Sequence, residues 1–216
     1  MGFPMPPHNL TSGRECANWS KSALKRDAIM PSKRPFRARP IASILAITLC
    51  AGVAAAAQGP KDLSPELKSA RDALEKYKDP VVAVHDGYFS TVGCVTYPKP
   101  GAPGQVPYPA GGMGVHFLNV GLLGKPLDPL KPQILVYEPV GGKLRLVAAE
   151  WFVPLSPEVK ERPQLFGRPF DGPMEGHHPL MPKGLHHYDL HVWLWKDNPA
   201  GLFAPTNPRV KCPKGP

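Results

Sequence analysis

Alternating polar and apolar residues near the C-terminal end of the chain predict a strand with one buried face. The segment 186–196 reads HHYDLHVWLWK, and successive side chains on a strand point to opposite faces. One face then carries an apolar set: Tyr188, Leu190, Val192 and Leu194. The other face carries imidazoles, a carboxylate and indoles: His187, Asp189, His191, Trp193 and Trp195. Such a face is typical of the wall of a polar-aromatic ligand pocket.

Three earlier segments also show strand-like patterns. They are Met113–Asn119, Gln133–Glu138 and Lys143–Val153. The sequence PVGG between the last two is a turn signal, so these strands are expected to form a hairpin. Tyr97–Gly112 is rich in proline and glycine and predicts a loop. Pro154–Gly184 is a second proline-rich connection, long enough to be a binding loop or a lid.

Helices are predicted before the strands. Ser64 and Pro65 suit the N-cap and first position of a helix. Apolar residues recur behind them at three- and four-residue steps as far as about Asp79. Asp79-Pro80 then predicts a second, short helix ending at Gly87. We therefore expect an α+β fold with one or two N-terminal helices packed on a curved antiparallel sheet of about four strands. Cystatin-like and NTF2-like folds have this element order, an analogy that carries no function.

The N-terminal region predicts export. Residues 30–57 combine a basic start, an apolar run over Ile41–Val53 and Ala55-Ala56-Ala57, the small-residue pattern of a signal peptidase site. The apolar run is shorter than the about 20 residues of a membrane span. Cleavage near Ala57 leaves residues 58–216 as a single secreted domain, periplasmic or extracellular. Residues 1–29 are then an upstream extension with translation starting at Met30, or else part of an unusually long signal.

Removing the leader changes the charge and the cysteine count. The leader holds eight of the 26 basic and two of the 17 acidic residues, so the net charge falls from +9 to +3. This value gives no support for nucleic-acid binding. Two of the four cysteines remain, Cys94 and Cys212. In an oxidising compartment an isolated pair predicts a disulfide.

Three segments together resemble a family of exported bacterial proteins. The first is Gly112–Asn119, with the pattern G-M-G-x-H; the second is the hairpin 135–151; the third begins at His191 and has the pattern H-x-W-x-W-x-x-N-P-x-G-x-F-A. The resemblance covers most of the chain after the leader. It implies secretion and a single domain, and it implies no reaction.

The sharpest chemical hypothesis joins His116, Glu150 and one histidine of the last strand. One face of the predicted strand that contains Glu150 carries Leu144, Leu146, Ala148, Glu150 and Phe152. A buried carboxylate in such an apolar row needs a base, hydrogen-bond donors or a metal. His187 and His191 are about 13 Å apart along one strand and are not expected to share an ion. The set His116, Glu150 and His191 suits zinc or non-haem iron. The alternative is a polar pocket in which Glu150 and a histidine hydrogen-bond to each other.

A weaker metal hypothesis is copper, because methionines accompany histidines at Met113 and in the loop 154–184. Common enzyme motifs (Gly-x-Ser-x-Gly, a Walker loop, His-Glu-x-x-His) are absent from the sequence. We therefore expect a small-ligand binding or structural module, with a metal-dependent enzyme centred on His116, Glu150 and His191 as the alternative. A third class, a partner-binding protein, would expose the loop residues Phe166, Phe170 and Met181.

Overall fold

The computed structural model describes residues 59–90, 92–97 and 108–213. The predicted upstream extension and signal peptide, residues 1–57, lie outside the described residues. Within the described part of the chain, no helix is both long and apolar enough to cross a membrane.

Two short helices begin the fold where proline and a capping side chain predict them. Helix α1 spans Pro65–Leu74, and the Ser64 hydroxyl accepts a hydrogen bond from the Leu67 amide. A 3-10 turn, Glu75–Lys78, follows it. Helix α2 spans Pro80–His85, and the Asp79 carboxylate caps it by accepting from the Val81 amide. The helical stretch formed by α1 and the 3-10 turn ends before Asp79, because a residue that precedes proline is disfavoured in the helical conformation.

The main sheet is antiparallel, curled and six-stranded, in the order β1-β2-β3-β4-β8-β7. A separate two-stranded ribbon is formed by β5 and β6. The strands are β1 Val95–Tyr97, β2 Gly111–Leu118, β3 Ile134–Val140, β4 Lys143–Pro154, β5 Gln164–Leu165, β6 Arg168–Pro169, β7 Asp171–Met174 and β8 His187–Val192. The α+β class and the antiparallel sheet are thus confirmed. The count of about four strands is wrong because β1 and β7, at the two edges, are too short to show an alternating pattern.

A β-bulge in β4 changes which residues share a face. Tyr137 pairs with Leu146 but Val136 pairs with Ala148, so Val147 is an extra residue in β4. Leu146 therefore packs in the main core cluster with Ala149 and Trp151. The prediction that Leu144 and Leu146 share the face of Glu150 is wrong for this reason.

The last strand is shorter than its sequence pattern. β8 ends at Val192, where its regular hydrogen-bond ladder with β4 stops. The Trp195 amide instead donates to the Val147 carbonyl at the bulge, and the Trp193 amide donates to the Leu202 carbonyl. The period-two alternation consequently stops before Trp195.

The predicted disulfide is present and fastens the C-terminal tail to β1. Cys94 and Cys212 are bonded, with their Cα atoms 5.3 Å apart at a sequence separation of 118. The tail also forms a bridge to β2 between Asn207 and Gly112. A Cβ on Gly112 would lie 2.7 Å from the Val210 side chain, so this close approach requires glycine.

Candidate metal centre

The sheet register brings one carboxylate and one imidazole face to face. Glu150 on β4 pairs directly with His191 on β8. On the other side of β4, Glu150 pairs with Ile134 of β3, and the neighbouring Val136 of β3 pairs with His116 of β2. The His116 side chain therefore reaches Glu150 across one intervening strand. The bulge matters here, because it lies between Glu150 and the hairpin end and sets which β4 residues face His116.

All three predicted residues meet around a single carboxylate oxygen. Glu150 Oε2 is 3.3 Å from His116 Nε2 and 3.2 Å from His191 Nε2. Candidate ligand atoms from the three residues all lie within 4.8 Å of one another. Ligand atoms bound tetrahedrally at about 2.0–2.1 Å from a metal lie about 3.3 Å apart. The two short separations match that spacing.

These polar groups are deeply buried and lack hydrogen-bond partners. The Glu150 and His191 side chains are 2% and 0% exposed, and that of His116 is 7% exposed. Glu150 Oε2 and both ring nitrogens of His116 and of His191 have no hydrogen-bond partner. The Nε2 atoms are close to Oε2, but their N–H directions miss it. Buried polar atoms are seldom left without a partner, so five in one place need an explanation.

The electrostatics of the site are those of a buried acid held beside imidazoles. Burial by itself raises the pKa of the Glu150 carboxyl, but the charge of His191 and the adjacent His116 lower it below its ordinary value. Burial likewise lowers the pKa of His191, but the carboxylates of Glu150, Asp189 and Asp171 together outweigh burial and raise that pKa to about 9. Without a metal, Glu150 and His191 are therefore both charged near neutral pH.

A second carboxylate stands behind His191. Asp189 Oδ1 lies 4.0 Å from His191 Nδ1, the ring nitrogen that does not face Glu150. The two residues share a face of β8 because they are two apart in the strand. At this distance Asp189 acts on His191 through its charge, which raises the pKa of the imidazole; a hydrogen-bonded carboxylate at this position would also fix the ring orientation of a metal-bound histidine. Asp189 is 1% exposed, so it interacts with the site rather than with solvent.

Beyond Asp189 the buried polar row continues. Asp189 Oδ2 is 3.6 Å from His187 Nε2 and 3.5 Å from the Tyr108 hydroxyl. Burial and the negative charges of Asp189 and Glu150 raise the pKa of Tyr108. His177 packs against both Tyr108 and His187, with ring centroids 5.3 and 5.5 Å away. The predicted pocket residues His187 and Asp189 are thus near the triad, and His187 is not one of its three members.

The two predicted pocket indoles lie in different core clusters, on opposite faces of the sheet. Trp195 belongs to the core cluster that includes the helices, and its Nε1 donates to Glu75 Oε1 at 2.8 Å. The prediction that Trp195 shares the face of His191 is therefore wrong, since the strand ends before it. Trp193 stays on the face of His191 and Glu150, as predicted, and belongs to the core cluster of that face, which also contains Phe152. Its Nε1 donates to the Ala204 carbonyl, and its side chain is fully buried.

A cavity of about 140 Å³ opens beside the triad on the His116 side. Its walls are mainly apolar, and His116 forms part of them. Leu118 continues β2 from His116, and Phe152 continues β4 from Glu150. The sequence did not predict this cavity, because its other walls come from loops without a repeating pattern: Phe89, Val92, Leu180, Met181 and Leu185.

The long loop gives less support to the other hypotheses. Phe170 is fully buried, and Phe166 packs on Trp151 at 5.0 Å between ring centroids, so they do not form the exposed patch expected of a partner-binding loop. Met174 accepts a hydrogen bond from the Tyr108 hydroxyl. His178 is exposed while His177 is buried. The histidines and methionines of the loop are thus distributed over different environments, unlike the compact triad.

Comparison with known protein families, curated proteins and solved structures gives no match to this chain. The resemblance to exported bacterial proteins stays a prediction from the quoted motifs. The structure does give those motifs a physical meaning. In G-M-G-x-H, Gly114 has a φ of +86°, and a Cβ there would lie 2.6 Å from the Tyr137 carbonyl oxygen. This glycine lets β2 approach β3 closely, two residues before His116.

Proposed function

We propose that this protein binds one divalent transition metal, zinc or iron(II), through His116 Nε2, Glu150 Oε2 and His191 Nε2. The observation that carries the proposal is the convergence of two imidazole nitrogens on one buried carboxylate oxygen at 3.2 and 3.3 Å. Two histidines and one carboxylate form a ligand set that both metals accept. Copper is a less suitable guest, because its typical soft sulfur ligand is missing from the triad.

The partnerless atoms favour a metal over a hydrogen-bonded pocket. A closed hydrogen-bond network would align N–H groups with Glu150 Oε2, and neither imidazole does so. A cation placed among the three side chains would satisfy Oε2 and both Nε2 atoms at once. Asp189 would then interact with the protonated Nδ1 of the bound His191, the usual arrangement behind a metal-bound histidine.

Three protein ligands leave at least one coordination position open. A metal in such a site acts as a Lewis acid and lowers the pKa of a bound water. His116 also forms part of the wall of the neighbouring cavity. Of our two hypotheses, an open coordination position favours the metal-dependent enzyme. If no reaction occurs at the metal, the protein is instead a small-ligand binding module.

We propose in addition that the domain works outside the cytoplasm. The predicted signal peptide supports export, and so does the disulfide between Cys94 and Cys212, since such bonds persist in oxidising compartments. The metal would then be acquired after export or during folding in that compartment. Mass spectrometry of the mature N-terminus tests this point: cleavage after Ala57 is expected, and a retained leader would contradict it.

Cobalt(II) titration of the metal-free protein tests the metal centre. Cobalt adopts the geometries of zinc and has visible absorption bands that report its ligands. We expect one equivalent of cobalt to bind the wild-type protein. Loss of an outer-sphere partner typically lowers metal affinity about 10- to 100-fold, and loss of a carboxylate that binds the metal directly should cost more. The affinity of Glu150→Gln for cobalt should therefore be at least about 100-fold lower. Bands of similar intensity in wild type and Glu150→Gln would contradict the proposal.

Glu138→Gln is the matched control for this experiment. Glu138 is also a buried carboxylate of the same sheet, 4% exposed, but it accepts hydrogen bonds from Lys196 Nζ and the Lys211 amide. It contacts none of the triad residues within salt-bridge distance. The control should bind cobalt as the wild type does, which separates loss of a ligand from the general effect of neutralising a buried carboxylate.

A further inference from the structure

The apolar cavity beside His116 shares its walls with the metal centre. Leu118 lies two residues after His116 on β2, and Phe152 lies two residues after Glu150 on β4, so each pair projects to one face of the sheet. Ile134 of β3 pairs with both Leu118 and Glu150. The cavity is therefore a continuation of the triad along the same three strands.

Two loop segments cover this part of the sheet. Phe89 is bridged to Leu118 by two backbone hydrogen bonds and brings Ser90 and Val92 to one side. Leu180, Met181 and Leu185, from the connection between β7 and β8, form the other side. Phe89 and Leu185 are 47% and 37% exposed, so the cavity has a mouth between the two segments.

The chemistry of the walls selects a neutral, apolar guest. Of the described residues in the wall, Ser90 and His116 carry polar side chains. The Ser90 hydroxyl donates to the Val92 carbonyl and accepts from the Val92 amide, so its hydrogen bonds are used locally. His116 is then the one polar side chain in the described wall that makes no hydrogen bond, and both of its ring nitrogens are buried, so the wall that a guest meets is apolar. A charged guest would lose its hydration without gaining a partner.

The size of the cavity sets the size of the guest. Its volume is about 140 Å³, and an apolar cavity of about 150 Å³ is enough to bind benzene. We infer that the cavity binds a small neutral molecule with an apolar body of about six carbon atoms, and that a single polar atom of this molecule is directed at the metal. The second half of this inference rests on the proposed function; the first half does not.

Benzene tests the first half on metal-free protein. Titration of isotope-labelled protein should shift the backbone amide NMR signals of Leu118, Ile134 and Phe152. The variant Leu185→Trp places a larger side chain at the mouth and should weaken binding by about tenfold or more, a loss of about 1.4 kcal/mol. Leu180→Trp, in the same segment of the wall, is a second variant, included in case the first does not fold.

Leu155→Trp is the matched control, because Leu155 has a similar exposure, 44% against 37%, and does not line the cavity. It should bind benzene as the wild type does. Absence of shifts in the wild-type protein would overturn the inference. Equal binding by the control and by both cavity variants would overturn it as well.

Phenol tests the second half on cobalt-loaded protein. Phenol has the same body as benzene and one hydroxyl, and we expect it to change the visible cobalt spectrum while benzene leaves it unaltered. Benzene binding combined with an unchanged cobalt spectrum in phenol would overturn the orientation toward the metal. If cobalt does not bind, the proposed function and that orientation fail together, while the benzene experiment still decides on the cavity.

Discussion

Glu150 and His191 lie directly opposite each other on β4 and β8, with 3.2 Å between Oε2 and Nε2. Both side chains are almost completely buried. The pair would be a simple ion pair if His116 Nε2 did not approach the same oxygen from the other side at 3.3 Å. One carboxylate oxygen facing two imidazoles, none of them in hydrogen-bonding alignment, is the feature from which the metal centre is inferred.

The stability of the metal-free protein should depend on pH through this pair. The folded-state pKa of His191, about 9, is above its ordinary value of 6.5. Its contribution is therefore fully present below pH 6.5 and is lost as the pH rises through about 9. We expect the free energy of unfolding, measured by urea denaturation with a chelator present, to fall between pH 6 and pH 9.5.

Glu150 affects stability in the opposite direction, because its pKa is lowered on folding. Its contribution to the free energy of unfolding is present above pH 4.5 and is lost as the pH falls below that value. Glu150→Gln removes the charge that raises the pKa of His191, so the decline toward pH 9.5 should be much smaller in this variant. An equally steep decline in wild type and variant would show that His191 does not titrate against Glu150.

Asp189→Asn should weaken metal binding without abolishing it. Asp189 faces the far ring nitrogen of His191, and loss of such a partner typically costs about 10- to 100-fold in metal affinity. Competition titration with a chromophoric chelator measures the change. Asp197→Asn is the control, because Asp197 is exposed, pairs with Arg209 and is not among the carboxylates that act on His191. Equal effects of the two substitutions would count against a role for Asp189 behind His191.

Trp195→Phe should lower stability and leave metal affinity unchanged. The indole Nε1 donates to Glu75 Oε1 at 2.8 Å, on the helix-facing side of the sheet. Loss of one such hydrogen bond costs about 0.5–1.5 kcal/mol of stability. Glu75 is partly exposed, so its carboxylate can bind water in the variant and adds no further cost. Urea denaturation and cobalt titration measure the two quantities. A large loss of cobalt affinity would place Trp195 near the metal after all.

The disulfide should contribute to stability more than to metal binding. It closes a loop of 118 residues between Cys94 and Cys212, and removing a native disulfide typically costs about 2–5 kcal/mol. The double variant Cys94→Ser/Cys212→Ser should therefore denature at lower urea concentration while the folded fraction still binds one equivalent of cobalt. Loss of cobalt binding in folded, disulfide-free protein would mean that the tail holds β2, and with it His116, in place.

The sequence predicted the elements in which apolar residues recur at a regular spacing. It did not predict the features that depend on tertiary contacts. The four long strands and the first helix were found because apolar residues recur along each of them, and the second helix was found from its capping residues Asp79-Pro80. The bulge at Val147 left no local signal, since it depends on pairing with β3, and it moved Leu146 to the other face. The sequence does not predict that β8 ends at Val192, because the residues after it continue to alternate between polar and apolar. The regular hydrogen-bond ladder with β4 nevertheless stops there.

The candidate site followed from simple chemistry at one carboxylate. Glu150 stood out as an acid in an apolar row, and His116 and His191 were the imidazoles on strands predicted to be near it. Their meeting at Oε2 confirms that the triad is assembled in the fold. The interaction of Asp189 with His191 could have been read from their two-residue spacing, whereas Tyr108 lies in a proline-rich segment whose position only the folded chain defines.

Metal content tests the central claim most directly. The protein should be exported to a periplasm, purified without chelators and analysed for its elements beside the double variant His116→Ala/His191→Ala. We predict close to one equivalent of zinc or iron in the wild-type protein and almost none in the variant, with both forms folded by their denaturation curves. Metal-free wild-type protein that also fails to take up zinc, iron(II) or cobalt(II) on reconstitution would contradict the metal centre.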